Sequence, residues 1–444
     1  MFEDDSIQKK INNEDEIDKA ILVGLDWNDK KDFSHSLYET TELIEACDME
    51  VVEIIVQKLP HPDAATYIGK GKVHELAQAI EDFEAEYCIF EGNLSPAQLK
   101  NLQNIIKVPI WDKTNLILEI FSRRAKTREA KLQVESAYLQ FMLPRLSGMW
   151  QHLGRQSGGS GSKSNKGIGE TQIELDRRQI NKRIVELNRE LETLDKTRSV
   201  QRSGRRRGGV PRAALVGYTN AGKSTILNRM LTKSSADEEK MVFEKDMLFA
   251  TLDTSIRYIK NEDNRDFLLS DTVGFIEDLP TSLIKAFRST LQEASDADLL
   301  LIVLDASDRN WQDHKKVTED TLRELGATDI PKIYVMNKSD LIIDRDVSVP
   351  KIKGDEIWIS AGLGEGIPEL ASLISDRLYS KNKMLSFLLP YNKGDLLDKL
   401  HRQANILKEE YTGDGILFEA DCPCALAGEI EKALGLVDPD TEEW

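Results

Sequence analysis

The stretch Gly217-Tyr-Thr-Asn-Ala-Gly-Lys-Ser224 decides the fold. It has the Gly-x4-Gly-Lys-Ser spacing of a P-loop, it follows the apolar run Ala213–Val216, and Thr225–Leu231 after it favour a helix. In such an arrangement the glycines let backbone N–H groups approach a phosphate, and the helix N-terminus adds a favourable dipole. We therefore predict a nucleotide-binding α/β domain in which Lys223 bridges the outer phosphates and Ser224 ligates Mg²⁺.

Two further motifs follow apolar runs, in the order found in P-loop GTPases. Asp271-Thr-Val-Gly274 places Asp271 where it can hold the water shell of Mg²⁺ and Gly274 where it can contact a γ-phosphate. Asn337-Lys-Ser-Asp340 offers a carboxylate that accepts from guanine N1–H and the exocyclic amine, which adenine does not present. The motifs therefore predict GTP and GDP, rather than ATP, as the ligands.

Two other segments complete the predicted nucleotide site. Ser360-Ala361 follows a β-type run and is the expected backbone contact with guanine O6. Thr251, within Phe249–Asp253, is predicted to close on Mg²⁺ when a γ-phosphate is present, and Thr254 is the alternative. The residues predicted to bind the nucleotide are Gly217, Asn220, Ala221, Gly222, Lys223, Ser224, Thr225, Phe249, Ala250, Thr251, Leu252, Asp253, Asp271, Gly274, Asn337, Lys338, Asp340, Ser360 and Ala361.

The residue after Gly274 affects the predicted rate of GTP hydrolysis. Ras-like GTPases carry a water-orienting glutamine there, whereas this chain has Phe275, which cannot polarise water. Hydrolysis is therefore predicted to be slow unless a partner or a cation assists, and partners can accelerate such enzymes by ~10⁵-fold. Asn220 matches the asparagine that places K⁺ in potassium-dependent GTPases, although it can also be a simple turn residue. The predicted catalytic residues are Lys223, Thr251, Gly274 and Asn220, and the predicted metal-binding residues are Ser224, Thr251 and, through water, Asp271.

The chain divides into four predicted domains. Residues 1–122 alternate β-type runs with helical patterns, which favours a parallel α/β domain. Residues 123–205 read as an antiparallel helical hairpin whose Gly- and Ser-rich tip, Leu153–Gly169, is expected to be a mobile loop. The GTPase domain occupies residues 210–381, and residues 384–444 show strand, helix, strand and helix patterns of a small α/β domain.

The hairpin prediction depends on apolar spacing. After Glu170, five apolar residues follow one another at intervals of four and three, which is the seam of a short coiled coil. A helix over Lys126–Leu146 can fold back against it. The seam residues are Ile180, Ile184, Leu187, Leu191 and Leu194.

Charge is distributed unevenly. The formal net charge is −18, yet between residues 121 and 210 there are 20 basic and 9 acidic side chains. This segregation indicates a local phosphate-contacting surface, although a charged solvated surface is the alternative. Four cysteines are too few for a disulfide framework, and the longest apolar run, Leu299–Leu304, is too short to span a membrane. We expect a cytoplasmic monomer.

The whole pattern resembles the HflX GTPases of the Obg-related branch. The resemblance rests on His61–Lys72, on Gly167–Glu174 followed by Asp176-Arg-Arg178, on Phe249–Asp253 with Asp271–Phe275, and on Leu389-Pro-Tyr391 with Glu409–Thr412. Ile168 departs from the family, which usually has proline there. The resemblance implies binding to the large ribosomal subunit and its rRNA, insertion of the hairpin loop near the peptidyl-transferase region, and splitting of ribosomes stalled under stress.

Within the hairpin tip, Arg155, Lys163 and Lys166 are the candidate RNA contacts, because a flexible loop with cations on a stiff hairpin can order on RNA. Two other functions stay open. The N-terminal domain can be an NTP-driven RNA remodeller, for which Gly69-Lys-Gly-Lys72 is a weak phosphate-contact signal beside a plain turn. The chain can also be a ribosome-bound sensor or assembly factor whose nucleotide only gates docking.

Overall fold

The computed structural model describes residues 17–27, 33–146, 165–206, 210–233, 255–261, 265–272, 274–275, 294–342 and 349–435, without the side chains of 165–173, 195, 197–206 and 232–233. Contacts divide the chain into two compact units. Residues up to 198 belong to the first unit, and the described residues from 199 onward belong to the second. The finer division into four domains stays a prediction.

The first unit contains a four-stranded, all-parallel sheet with strand order β2-β1-β3-β4. The first strand along the chain is buried over Ala20–Leu25, and the helix that begins at Pro96 starts with the Ser95 capping box. The parallel sheet predicted from the sequence is confirmed. Its strands are β1 (Asp18–Asp26), β2 (Met49–Lys58), β3 (Tyr87–Phe90) and β4 (Ile110–Asp112), and its helices are α1 (Phe33–Glu45), α2 (Lys70–Asp82), α3 (Pro96–Gln103) and α4 (Lys113–Arg124).

Two further helices, α5 (Arg128–Met142) and α6 (Asn165–Arg206), form the helical hairpin, and α6 belongs to the first unit as far as Arg198. Arg128 pairs with Glu190 at 2.9 Å, whereas Glu135 pairs with Arg183 at 2.7 Å. From Arg128 to Glu135 along α5, the paired residue on α6 changes from Glu190 back to Arg183. The two helices are therefore antiparallel, as predicted. One expectation is wrong: residues Asn165–Gly169, assigned to the mobile tip, begin the helix. The rest of the tip lies outside the described residues.

The second unit contains a seven-stranded sheet of order β10-β11-β9-β8-β5-β7-β6. Its five central strands are parallel, and the strand at each edge runs antiparallel to its neighbour. The parallel strands are buried nearly throughout because helices cover the sheet. The strands are β5 (Arg212–Gly217), β6 (Ser255–Ile259), β7 (Phe267–Asp271), β8 (Leu299–Asp305), β9 (Lys332–Asn337), β10 (Lys351–Lys353) and β11 (Glu356–Trp358), and the helices are α7 (Lys223–Lys233), α8 (Trp311–Glu324) and α9 (Ile367–Leu378).

The chain then forms a three-stranded antiparallel sheet of order β12-β14-β13 with its own apolar core. The sequence patterns did not predict strand β13, whose residues are mostly polar and lie at an edge of the sheet. Across the described ranges, no helix is both long and apolar enough to cross a bilayer. The elements are β12 (Lys383–Leu389), α10 (Gly394–Gln403), β13 (Asn405–Tyr411), β14 (Ile416–Cys422) and α11 (Cys424–Leu434).

Candidate functional site

The P-loop connects the buried parallel strand β5 to helix α7, as the sequence predicted. Gly217 and Gly222 both have positive φ angles, of 148° and 91°. A Cβ on Gly217 would collide with the Val303 carbonyl, and one on Gly222 would collide with the Asn337 amide. Only glycine fits these positions, so the loop can lie close to Val303 of β8 and Asn337 of β9.

Lys223, the first residue of α7, lies folded onto the P-loop. Its Nζ donates to the carbonyl oxygens of Gly217 at 3.1 Å and Tyr218 at 2.7 Å, and the side chain is buried. Burial lowers the pKa of Lys223 to about 8, while the negative charge of Asp271 opposes this effect. A phosphate beside this ammonium would compensate the lost hydration, which is why a P-loop lysine favours anionic ligands.

Ser224 and Asp271 meet beside that ammonium. Asp271 is the last residue of β7 and is fully buried, and its Oδ2 accepts from Ser224 Oγ at 2.6 Å. A hydroxyl and a carboxylate at this distance supply the hard oxygen donors that Mg²⁺ prefers. The residues therefore fit a magnesium ion, which would neutralise phosphate charge when bound.

Gly274 and Phe275 lie against the P-loop. Thr219 N–H donates to the Phe275 carbonyl at 2.8 Å, and Phe275 N–H donates to the Gly217 carbonyl at 3.0 Å. A Cβ on Gly274 would lie 3.1 Å from Lys223 Nζ, so this glycine and the ammonium are neighbours. Phe275 is buried, which makes it part of the packing of the site.

Asn337 ties two loops of the site together. Its Nδ2 donates to the Ala221 carbonyl at 2.8 Å, and its Oδ1 accepts from the Ala361 N–H at 2.9 Å. The structure therefore uses this amide to hold the P-loop against the Ser360-Ala361 segment, a contact that the base-recognition motif alone did not predict.

The rest of that motif forms a short 3-10 helix, Ser339–Leu341, which contains Asp340. Lys338 precedes it in the left-handed region, with φ 57°, and its Nζ pairs with Asp305 Oδ2 at 2.8 Å. Ser360 and Ala361 follow β11 and are fully buried. Arg229 of α7 fixes the same segment by donating to the carbonyls of Ala361 and Gly362.

The structure brings most of the predicted site to the carboxyl ends of β5, β7, β9 and β11, where open α/β sheets bind ligands. The described members are Gly217, Asn220, Ala221, Gly222, Lys223, Ser224, Thr225, Asp271, Gly274, Asn337, Lys338, Asp340, Ser360 and Ala361. Phe249, Ala250, Thr251, Leu252, Asp253 and the alternative Thr254 lie outside the described residues, as do Arg155, Lys163 and the side chain of Lys166.

Comparison with known proteins decides the family. Residues 34–122 match the family described as GTP-binding GTPase N-terminal, residues 124–205 the GTP-binding GTPase Middle Region, and residues 212–338 the 50S ribosome-binding GTPase. GTPase HflX of Caldanaerobacter subterraneus is 40% identical over 415 residues, which cover 94% of this chain and 93% of the relative. GTPase HflX of Escherichia coli K12 is 40% identical over 406 residues, which cover 90% of this chain and 92% of the relative.

The chain belongs to the HflX family of GTPases. As an HflX-family member it binds guanine nucleotides and hydrolyses GTP. Among solved structures, it is similar to a GTP-binding protein from the hyperthermophilic archaeon Sulfolobus solfataricus in complex with GDP. The two chains are 25% identical in sequence, and the match covers 82% of this chain and 98% of the other. The TM-score is 0.43.

Sequence reasoning about this HflX GTPase missed one pair that supports the P-loop. The Tyr218 ring stacks on His314 of α8, with centroids 3.8 Å apart and planes at 10°. His314 Nδ1 lies 3.6 Å from Asp308 Oδ2. No local pattern identifies this stack, because its two members lie in segments that are distant in the chain.

Proposed function

We propose that this HflX-family GTPase binds the large ribosomal subunit and splits stalled or idle ribosomes in a GTP-dependent manner. The observation that carries the proposal is the antiparallel hairpin α5–α6, a stiff element in the one strongly basic part of an acidic chain. The match of residues 212–338 to a family described as a 50S ribosome-binding GTPase supports the same partner. Basic side chains near the hairpin would contact rRNA phosphates.

In this proposal the nucleotide sets the affinity for the ribosome. Lys223 and Gly274, which are neighbours, would flank the γ-phosphate, and Ser224 with Asp271 would hold Mg²⁺, the latter through water. Thr251 would complete the metal site in the GTP-bound form. Asp340 would read the guanine edge, and the Ser360-Ala361 backbone would contact O6. Hydrolysis would then return the chain to a form with lower ribosome affinity.

The RNA contacts and the setting are also part of the proposal. Arg155, Lys163 and Lys166 are proposed to contact rRNA from the hairpin tip. The protein is proposed to act as a monomer in the cytoplasm during stress.

The proposal is tested by sedimenting purified ribosomes with the protein and GTP, GDP or a non-hydrolysable GTP analogue across a salt series. We expect GTP or the analogue to retain the protein on the large subunit and to increase free subunits. Binding should weaken steeply with salt, since it releases counterions from RNA. Lys223→Ala serves as the nucleotide-site control. Equal sedimentation in GTP, in GDP and with Lys223→Ala would contradict the proposal.

Asn220 is proposed to place K⁺ beside the phosphates. It lies within the P-loop with a left-handed backbone, φ 58°, and is partly buried. We expect GTP turnover by the purified protein to be faster in K⁺ than in Na⁺, and Asn220→Ala to remove this difference. Equal turnover of the unmodified protein in the two cations would exclude the role.

A further inference from the structure

The three-stranded sheet β12-β14-β13 has one face covered by helices and a second face that is largely exposed. Phe387 and Phe418 point to the covered face. They share an apolar core with Leu400 of α10 and Ile430 of α11. Successive residues of a strand point to opposite faces, so the alternate residues form the second face. This outer face consists of Met384, Ser386 and Leu388 of β12, Asn405, Lys408 and Glu410 of β13, and Leu417, Glu419 and Asp421 of β14.

Apolar and acidic side chains are neighbours on the outer face. Leu388 is paired with Leu417, and Leu417 is paired on its other side with Glu410. Met384 is paired with Asp421. Met384 is 60% exposed and Leu388 is 41% exposed, although both side chains are apolar. Covering these side chains with a partner would remove apolar surface from water, which favours binding.

The charge of the outer face is negative. Of its three carboxylates, only that of Glu410 has a cation beside it, Lys408 at 3.2 Å. Glu419 and Asp421 make no ion pair in the part of the chain that the structure describes. The surrounding sequence has the same sign, with 13 acidic and 7 basic side chains between residues 381 and 444. Such a face repels the phosphates of nucleic acid and attracts lysine and arginine side chains.

We propose that the outer face binds a basic, amphipathic segment of a partner protein. The apolar side chains of that segment cover Leu388 and Leu417, and its lysine or arginine side chains pair with Glu419 and Asp421. The segment is extended, because side chains that alternate with a period of two match the spacing of the strands below them. This inference goes beyond the proposed ribosomal function, since it concerns a second surface and requires no nucleotide.

The test measures binding of fluorescent probes to the full chain by fluorescence anisotropy. The probes are a peptide of three Leu-Ser-Lys-Ser repeats, the matching Leu-Ser-Glu-Ser peptide, and a single-stranded RNA oligonucleotide. Glu419→Lys reverses one charge on the outer face, and Glu429→Lys makes the same change at an exposed position of α11 as a matched control. Leu388→Ser removes an apolar contact, and Ser386→Glu adds a carboxylate opposite Glu419. Circular dichroism melts show whether each variant is folded.

We expect the basic peptide to bind, and the acidic peptide and the RNA not to bind. Glu419→Lys should weaken binding of the basic peptide about tenfold and Leu388→Ser about threefold, whereas Glu429→Lys should stay within about twofold. Ser386→Glu should strengthen binding about threefold, a gain that misfolding does not produce.

Three results would overturn the inference. Equal losses for Glu419→Lys and Glu429→Lys would indicate unspecific attraction to an acidic protein. RNA that binds more tightly than the basic peptide would make the outer face a nucleic-acid surface. A basic peptide that does not bind at all would show that the face has no such partner.

Discussion

Asn337 makes two side-chain hydrogen bonds, to the Ala221 carbonyl and from the Ala361 N–H, and both partners are buried. Asp340, three residues later, is partly exposed at the same edge of the sheet. We therefore expect different consequences from changing the two. Asn337→Ala should lower the thermal stability of the nucleotide-free protein by about 1–3 kcal/mol, because it leaves buried polar groups unsatisfied.

Asp340→Asn should leave the melting temperature nearly unchanged and weaken the preference for guanine over other bases. The measurements are thermal melts without nucleotide, and competition of GTP, ATP and XTP for a fluorescent GTP analogue. A large loss of stability in Asp340→Asn, together with normal base selection, would show that the motif's carboxylate is structural.

The cysteines allow a second test at the scale of single residues. Cys47, Cys88 and Cys422 are buried, whereas Cys424 is exposed. Burial raises the pKa of Cys47 to about 12 and that of Cys422 to about 11. Because the thiolate is the reactive form, a raised pKa leaves these thiols protonated and inert well below pH 11.

At about pH 8, iodoacetamide should therefore modify Cys424 quickly and the other three cysteines slowly, as read by mass spectrometry. Cys424→Ser should abolish the fast reaction, and unfolding in guanidinium should make all sites react. Rapid modification of Cys88 in the native protein would contradict the described core.

Among the elements, the hairpin offers a matched pair of positions on one helix. Leu187 of α6 is fully buried, whereas Val185, two residues earlier, is 49% exposed. Leu187→Ala should destabilise the hairpin by about 2–5 kcal/mol, because it leaves a cavity between the helices. Val185→Ala should change stability by no more than about 0.5 kcal/mol. Hydrogen exchange of α5 and α6 would measure both, and equal effects would mean that Leu187 is not part of the seam.

The sequence predicted the elements whose signal is local. Buried strands such as Tyr87–Phe90 and the seam of α6 have apolar residues at regular spacing, so periodicity located them. Strand β13 was missed because Lys408, Glu409 and Glu410 interrupt its apolar residues, and only its pairing with β14 makes it a strand. The start of α6 was missed because Gly167 and Gly169 favour a loop by composition, a local preference that the structure overrides.

In the nucleotide site, too, the sequence predicted local motifs but not the contacts between distant segments. The P-loop and the motifs at Asp271 and Asn337 were located because each motif follows a strand directly. The hydrogen bonds of Asn337 with Ala221 and Ala361 and the stack of Tyr218 on His314 join segments that are distant in the chain. Spacing within a motif carries no information about such contacts.

At the scale of the molecule, the core under the three-stranded sheet is separate from the core of the seven-stranded sheet. The first draws on residues between Leu385 and Leu434, and the second on residues between Ala213 and Leu378. Segments with their own core can fold alone. A chain truncated after Lys381 should therefore keep GTP turnover within about twofold.

The measurement is steady-state GTP hydrolysis, with GDP affinity and a thermal melt as controls for folding. A truncated chain that is folded but binds no nucleotide would show that the C-terminal segment is required by the GTPase site, and that the proposed boundary near residue 381 is wrong.

The two carbonyl groups that accept from Lys223 have a consequence for nucleotide exchange. When GDP leaves, the buried ammonium of Lys223 keeps two hydrogen-bond acceptors, because the carbonyl oxygens of Gly217 and Tyr218 accept from it. The ammonium has three N–H donors, so the third can bond to a phosphate oxygen while the two carbonyl oxygens keep their bonds. Loading therefore adds a partner to an ammonium that the main chain already orients, and release of the nucleotide leaves that orientation in place.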